Sequence, residues 1–448
     1  MPINSLNICQ VNDYDVKGGA EKVSLNLHLA YSELKHQSNL IVGRKYYNYP
    51  NTYAIFDNSI SQKINFINRY QREPFFSDNK YGQMLIRALK SSNSYKSIYY
   101  LTKGMDDYDQ PSLRNFLTDL HIKPDILHMH NLHGNYFDIS ELPIISKEVP
   151  TILTLHDAWL FTGSCMHFMN CEKWITGCNN CNKLIVASKY RRYGVLNNWY
   201  YKKRIFEKCN LFVITPSQWL MDHVKKSILE PAIVDSKVIH NGIDMNIFHI
   251  GNKENAREIL GLPKNAFILI FIANSARSNP SKDFSTLKKA TIQLANRKPH
   301  EKIIFLVIGD AHEKEIHGSA TIIYIPFIND EKTLVKYYQA SDVYVHAAKA
   351  DTFPTTIIEA MSCGLPIIAT DVGGIPEQIH KDNLGILTKP GDYEVFAKEI
   401  EYLLEDEELR EKMGRNAAKE AHERYNFQNQ VNNYLKYYHE ILKRHNDR

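Results

Sequence analysis

The strongest constraint on this chain is an alternation that runs along it and then starts again. Short apolar runs of strand length are separated by stretches of helical pattern. Leu6–Val11 is the first run, and Lys17-Gly18-Gly19-Ala20-Glu21 leads from it into the helical VSLNLHLAYSEL. Ser38–Val42, Asp125–His130, Thr151–His156 and Leu211–Thr215 follow as strands. Apolar runs of this kind suit strands covered on both faces, and their alternation with helices builds a parallel sheet in an α/β layer fold. After Val238–Asp244 the pattern begins again. A short helix at Ala256–Leu260 precedes strands at Phe267–Ala273, Lys302–Ile308, Thr321–Ile325, Val343–His346 and Pro366–Thr370. A chain of 448 residues is too long for one ordinary core, so two successive doubly wound domains are expected. Their bounds are 1–230 and 231–427, and the last segment, 428–448, carries a tyrosine-rich helix over Gln428–Lys443. Two such domains imply a cleft, with ligands outside the C-terminal ends of the strands.

Composition narrows the class. Hydrophobic residues make up 44% and charged residues 23% of the chain, values of a soluble globular protein. A net charge of +4 does not point to nucleic acid. The start, MPINSLNICQVNDYD, has neither the basic nor the apolar region of a signal peptide. No run approaches the ~18 apolar residues of a membrane span. A cytoplasmic protein is the expectation. The charge is uneven, however. Gln62–Lys103 holds eight Lys/Arg against two acids, and Lys183–Arg204 holds seven against none: Lys183, Lys189, Arg191, Arg192, Lys202, Lys203 and Arg204. Tyr190, Tyr193, Trp199, Tyr200 and Tyr201 are interleaved with the second group. This mixture suits peripheral contact with an anionic membrane, at the inner face of the cell membrane for a cytoplasmic protein; a solvated helical face is the simpler alternative.

The most informative stretch is ADTFPTTIIEAMSCGLPIIATDVGGIPEQI, Ala350–Ile379. It reads as a loop, a helix over Ile357–Ser362, a strand and a Gly373-Gly374 turn. Gly364 is placed to end the helix and Pro366 to stop it. A helix N-terminus and a Gly-Gly turn at strand ends both offer backbone N–H groups, which suit a diphosphate. Glu359, in the first helical turns, is placed to accept hydrogen bonds from two sugar hydroxyls. Upstream, Arg277 and Lys282 follow the strand Phe267–Ala273, and taken alone they read as two solvated loop cations.

This segment resembles the signature of the GT4 family of retaining glycosyltransferases: a carboxylate-x7-carboxylate motif, then EAM-x-CG-x-P and Gly-Gly-x-x-E. The two carboxylates are Asp351, where the family most often has Glu, and Glu359. Arg277 and Lys282 keep the spacing of the family's Arg-x4-Lys pair, although Ala276 and Asp283 stand where glycines are usual. The resemblance implies the GT-B fold, two Rossmann-like domains facing a cleft, with the C-terminal helix packing back on the N-terminal domain. It implies that Glu359 binds the ribose of a nucleotide-diphosphate sugar and that Asp351 lies by the donor sugar. The amides of Phe353, Pro354-Thr355, Gly373 and Gly374 would meet sugar and phosphate, and Arg277 and Lys282 would clamp the diphosphate. Gly18 and Gly19 would face the donor phosphate from the other domain. His156, at the end of the strand TILTL, would sit beside the anomeric centre, with His130 a weaker candidate and Asp157 placed to orient the acceptor. The resemblance also implies front-face attack without a protein nucleophile, and catalysis without a metal because the cations take that role.

Seven cysteines are present. Cys9, Cys209 and Cys363 stand alone in apolar surroundings and read as core residues. Cys165, Cys171, Cys178 and Cys181 cluster after HDAWLFTGSC, and a similar Cys-rich loop marks a GT4-like subgroup. Their spacing fits a structural four-thiolate zinc site, with free thiols and disulfides as alternatives, and His133 and His167 as weaker ligands. Taken together, the chain is expected to transfer a sugar to a glycan or polyprenyl-linked acceptor in surface polysaccharide synthesis. A nucleotide-sugar-binding scaffold, an inactive partner subunit of a transferase, and other GT-B enzymes such as an epimerase or phosphorylase are the alternatives.

Overall fold

The computed structural model describes residues 5–16, 18–56, 95–181, 191–381 and 383–446. Lys17, the first basic stretch up to Lys90, and Lys183, Lys189 and Tyr190 of the second lie outside the described residues. Two compact units are present. Unit 1 comprises Met1–Pro216, Leu220–Val238 and Tyr434–Arg448; unit 2 comprises Ser217–Trp219 and Ile239–Asn433.

Unit 1 is built on a seven-stranded sheet of β1 (Asn7–Tyr14), β2 (Gln37–Arg44), β3 (Thr52–Ala54), β4 (Ile126–Met129), β5 (Thr151–Thr154), β6 (Leu211–Thr215) and β7 (Ile233–Val238). The order is β3-β2-β1-β4-β5-β6-β7, and every pairing is parallel. Ile8, Cys9 and Val11 of β1 are completely buried although they point alternately to the two faces. Helix α1 (Gly19–Glu33) provides the first crossover and buries Val23, Leu27 and Tyr31. The order reverses between β1 and β4, so the loops after these two strands flank the switch point where open α/β sheets bind ligands.

Helix α2 (Arg191–Phe206) corrects one expectation. Lys202 is not part of an exposed basic face: it is fully buried, and its Nζ donates to the carbonyl oxygens of Trp159 at 2.6 Å and Thr162 at 3.1 Å. The ammonium also lies 3.4 Å from the centroid of the Trp159 ring. Its apolar stem can enter the core because carbonyls and an aromatic face replace the water that the charge loses. Tyr200 and Arg204 remain exposed.

Unit 2 repeats the plan with β8 (Phe267–Ile272), β9 (Ile303–Ile308), β10 (Glu315–His317), β11 (Ala320–Ile325), β12 (Val343–His346), β13 (Ile367–Thr370) and β14 (Gly385–Thr388), in the order β10-β11-β9-β8-β12-β13-β14. Only the short hairpin β10-β11 is antiparallel. Successive residues feed two separate cores. Ile268, Ile270, Ile304 and Leu306 face one; Leu269, Phe271, Phe305 and Val307 face the other. Each such side chain contributes roughly 1.5–3 kcal/mol by leaving water. Helix α3 (Phe284–Arg297) closes the second core, while α4 (Glu331–Ala340) and α5 (Thr355–Ser362) close the first. Here the order reverses between β8 and β12.

Helix α6 (Phe427–Asn446) is the last element. From Tyr434 onward it belongs to unit 1. There the Tyr438 hydroxyl lies 2.7 Å from His128 Nδ1 and 3.1 Å from the Tyr31 hydroxyl, and Tyr434 reaches Thr154 Oγ1 at 3.3 Å.

Candidate functional site

In unit 2 the loop after β12 is held from two sides. On one side it pairs with residues 281–283: Asp283 N–H donates to Ala347 O at 3.0 Å, Lys349 N–H donates to Ser281 O at 2.7 Å, and Lys282 forms an antiparallel bridge with Ala348. This pairing sets Lys282 beside Asp351, and its Nζ donates to Asp351 Oδ2 in a close ion pair. Both side chains are only 14% exposed, so water screens the pair weakly. On the other side, the Gly373-Gly374 turn presses its backbone onto the loop. Gly373 has φ +60°, and a Cβ there would lie 1.7 Å from Asp351 O; one on Gly374 would lie 2.0 Å from Thr352 O. The amide of Gly374 was expected to meet a diphosphate. Here it donates to Asp351 O at 3.2 Å, so close backbone packing accounts for these glycines.

His346, the last residue of β12, completes the group. Its Nε2 is 3.4 Å from both Lys282 Nζ and Asp351 Oδ2, and its Nδ1 is 3.1 Å from the Tyr344 hydroxyl. Burial pushes the His346 imidazole down to about 4, and the Lys282 charge acts the same way, so it is neutral near pH 7. Burial alone would raise the Asp351 carboxyl, but the Lys282 ammonium and His346 hold it well below the usual carboxylate range. His346 had no sequence signal, since a strand-end histidine in an apolar run reads as core.

Helix α5 starts at Thr355, two residues before the expected Ile357, with Pro354 as N-cap and no side-chain cap among the described residues. First-turn amides have no partner within their own helix, and the helix dipole favours an anion there. Phe353 is turned inward, stacked on the His240 ring at 5.1 Å, and Gln378 Nε2 donates to Pro354 O at 3.0 Å. These contacts fix the loop that feeds the helix. Glu359, one turn in, is 5% exposed, and its Oε2 accepts from the Tyr338 hydroxyl at 2.8 Å. Tyr338 was also missed. It lies three residues after Val335 on the buried face of α4, a spacing that signals packing before function.

Arg277 is held elsewhere. Its backbone N–H and Nε donate to Asp310 Oδ2 at 3.0 and 3.2 Å, and its guanidinium lies 5.4 Å from the Tyr324 ring centroid. Asp310 lies two residues past the end of β9, and a carboxylate there competes for the guanidinium. Arg277 and Lys282 therefore sit on separate carboxylates in this structure.

In unit 1, His156 Nε2 lies 3.0 Å from His130 Nδ1, and His130 Nε2 lies 3.1 Å from Gln10 Oε1. Loss of hydration pushes His156 down to about 4, and burial also holds His130 well below the usual range. Both are neutral near pH 7. His133 Nε2 is 3.0 Å from Asp157 Oδ2. Burial opposes charge on both, yet the pairing raises the His133 pKa and lowers that of Asp157. Gly18 and Gly19 open α1. A Cβ on Gly18 would lie 2.6 Å from Glu21 Oε2, whereas one on Gly19 would meet no atom within 4 Å. The Glu21 carboxylate already stands at this helix start, where it opposes a second anion.

The four clustered cysteines are near one another. Among the described residues, no three His, Cys, Asp or Glu are placed to hold one metal ion, and all four cysteines are free thiols. Burial and the other three sulfurs push Cys165 up to about 12. Burial pushes Cys178 up to about 11, against a hydrogen bond from Gly163 N–H at 3.2 Å.

Comparison with known proteins adds to this geometry. Residues 17–247 match the model of Glycosyltransferase Family 4, and residues 252–420 match that of Glycosyl transferases group 1. Similar sequences include D-inositol 3-phosphate glycosyltransferase 2 of Catenulispora acidiphila, 30% identical over 41% of this chain and 45% of that protein. The N-acetyl-alpha-D-glucosaminyl L-malate synthase of Bacillus anthracis is 26% identical over 47% and 55%, and the putative colanic acid biosynthesis glycosyl transferase WcaC of Escherichia coli is 24% identical over 58% and 62%. The chain thus spans about half the length of the relatives it matches. Solved structures share the GT-B fold class over nearly the whole chain. Sucrose-phosphate synthase of Thermosynechococcus elongatus has TM-score 0.64 at 15% identity, covering 98% of this chain and 99% of that one. Anabaena HepE in complex with UDP has TM-score 0.60 at 16% identity, covering 96% and 99%.

Proposed function

The chain belongs to glycosyltransferase family 4, and from that premise we propose that it is a retaining glycosyltransferase. In this reading it moves a sugar from a nucleotide-diphosphate donor to a glycan or polyprenyl-linked acceptor in surface polysaccharide synthesis. The observation that carries the reading is the group Lys282, Asp351 and Glu359 at the switch point of unit 2, beside the uncapped start of α5. Glu359, oriented by Tyr338, accepts hydrogen bonds from the ribose hydroxyls. The amides at Thr355 and the start of α5 meet the diphosphate. As the bond from the anomeric carbon to the phosphate oxygen breaks, Lys282 and Arg277 leave their aspartates and neutralise the departing diphosphate. The acceptor hydroxyl bonds to the same face of the anomeric carbon and its proton passes to the departing phosphate oxygen, so configuration is retained. Asp351 stands by the donor sugar, and neutral His156 is the polar group assigned to the reacting sugar.

The names of the relatives support a sugar-transfer role, and the HepE complexes with UDP and with UDP-glucose make a uridine nucleotide the first donor to try. A peripheral membrane contact belongs to this reading, through Tyr200, Lys203 and Arg204. No helix among the described residues is long and apolar enough to cross a membrane. Equal liposome flotation with and without anionic lipid would end that part. A second reading, a nucleotide-sugar-binding scaffold, is favoured by the placement of both cations on aspartates. Incubation with UDP-, GDP- and dTDP-sugars, followed by thermal shift and donor hydrolysis, separates the two. A transferase is stabilised by one donor and slowly hydrolyses it. Stabilisation without turnover favours the scaffold, and no stabilisation by any donor refutes both.

A further inference from the structure

Lys282 has two demands on one charge. In the structure its ammonium is committed to Asp351, and both are mostly withdrawn from water. On the reading above, the same ammonium must turn to the donor diphosphate. That movement would strip a largely buried carboxylate of its cation, which is strongly unfavourable because it leaves a withdrawn charge uncompensated. Unless another donor remains on Asp351, the carboxylate would draw Lys282 back and oppose the reaction.

The geometry points to His346 as that donor: we infer that it is a positioning residue that keeps Asp351 hydrogen-bonded when Lys282 turns to the diphosphate. Its Nε2 is already 3.4 Å from Asp351 Oδ2, the oxygen that Lys282 uses. The ring cannot swing away. Its side chain is fully buried, Phe271 meets it edge-on at 5.8 Å, and Tyr344 stands at Nδ1. On this inference the Tyr344 hydroxyl donates to Nδ1, which leaves the ring proton on Nε2, facing the carboxylate. Every donor then has an acceptor: Tyr344 O–H on Nδ1, Nε2–H on Asp351, and Lys282 on Asp351 or on phosphate. No proton moves between nitrogens when Lys282 changes partner. A neutral imidazole suits this role better than a second cation, which would compete with the diphosphate for the site and repel Lys282.

The inference rests on the diphosphate role given to Lys282, and the test separates the two. The ring nitrogens of His346 are read in histidine-labelled protein by 15N-correlated NMR, the signal being assigned by its loss in His346→Gln. The protein is observed free and with saturating UDP, or with GDP if only GDP binds. The expected result is a neutral ring protonated at Nε2 in both states. Protonation at Nδ1 in the nucleotide complex would overturn the inference while leaving the nucleotide site intact. Failure of both nucleotides to bind would overturn the site reading and this inference with it. In donor hydrolysis, His346→Leu should lower kcat at least ~10-fold with nucleotide Kd changed less than ~3-fold. His346→Gln places an amide N–H near the lost Nε2–H and should regain most of that rate. Equal impairment of the two variants, or none in either, would also count against the role.

Discussion

Replacing Lys282 by Met removes the ammonium from Asp351 and keeps most of the side-chain volume. The consequence can be sized from the pair's surroundings. Each partner is 14% exposed. At an effective dielectric near ~20, two unit charges ~4 Å apart attract by about 4 kcal/mol. Breaking a buried pair by deleting one partner costs ~3–5 kcal/mol, because the remaining charge is stranded. His346 Nε2, 3.4 Å from the same oxygen, can relieve part of that strain, so the lower end applies. A loss of ~3 kcal/mol in a unit of about 200 residues corresponds to a melting temperature lower by roughly 6–12 °C. Asp351→Asn should cost less, since the Asn carbonyl oxygen can still accept a hydrogen bond from the Lys282 ammonium. The double variant should recover most of the Lys282→Met loss, giving a coupling energy of ~2 kcal/mol in a double-mutant cycle by urea denaturation. Single losses below ~0.5 kcal/mol that simply add would mean that the pair behaves as a solvated surface contact, and the reasoning would be wrong. In donor hydrolysis, Lys282→Met should reduce kcat far more than nucleotide affinity, because its charge matters most as the diphosphate departs.

Tyr338→Phe keeps the ring in its core but leaves the Glu359 carboxylate short of one hydrogen bond. Isothermal titration should show nucleotide affinity weakened by about 5–10-fold, with a stability loss of ~1.5–3 kcal/mol; unchanged affinity would separate Glu359 from the nucleotide. Gly373→Ala would put a Cβ 1.7 Å from Asp351 O at φ +60°, so it should cost at least ~2 kcal/mol and abolish turnover; a variant of wild-type stability and rate would contradict the packing described. Acid should weaken unit 1 through His128, which burial pushes down to about 3 from an ordinary 6.5. The neutral ring contributes its full stability above pH 6.5 and loses it progressively as pH falls towards 3, because the unfolded chain then binds the extra proton. At pH 5 the loss is about 2 kcal/mol relative to pH 7, measurable as a lower urea midpoint; His128→Gln should show a smaller change, and an equal one would remove His128 as the cause.

The strands that carry the core were legible because their signal is hydrophobic and continuous, as in Phe267–Ile272 and Ile303–Ile308. Those that escaped notice are edge elements. Ile233–Val238 carries Asp235, Ser236 and Lys237 and is half-buried throughout, while Thr52–Ala54 and Glu315–His317 are only three residues long. At the site, the motif residues Lys282, Asp351 and Glu359 were visible, and their supports were not. His346, Tyr344 and Tyr338 look like core residues in sequence, because burial rather than spacing defines them. Asp310 was overlooked since nothing local couples it to Arg277, 33 residues earlier. The glycine pair carries a constraint that the sequence does not display: its turn presses on the backbone of Asp351 and Thr352. Lys202 misled for a related reason: charge in a sequence implies solvent, and only the fold reveals the carbonyls of Trp159 and Thr162 that receive it.

The central claim is that unit 2 holds a nucleotide through Glu359. It is tested most directly by comparing the nucleoside diphosphate that binds with its counterpart lacking the ribose hydroxyls, in wild type and in Glu359→Ala. Binding should be at least ~10-fold weaker for the stripped nucleotide in wild type, with no such preference in the variant. Equal binding of the two nucleotides by the wild-type protein, or a preference that survives in Glu359→Ala, would contradict it.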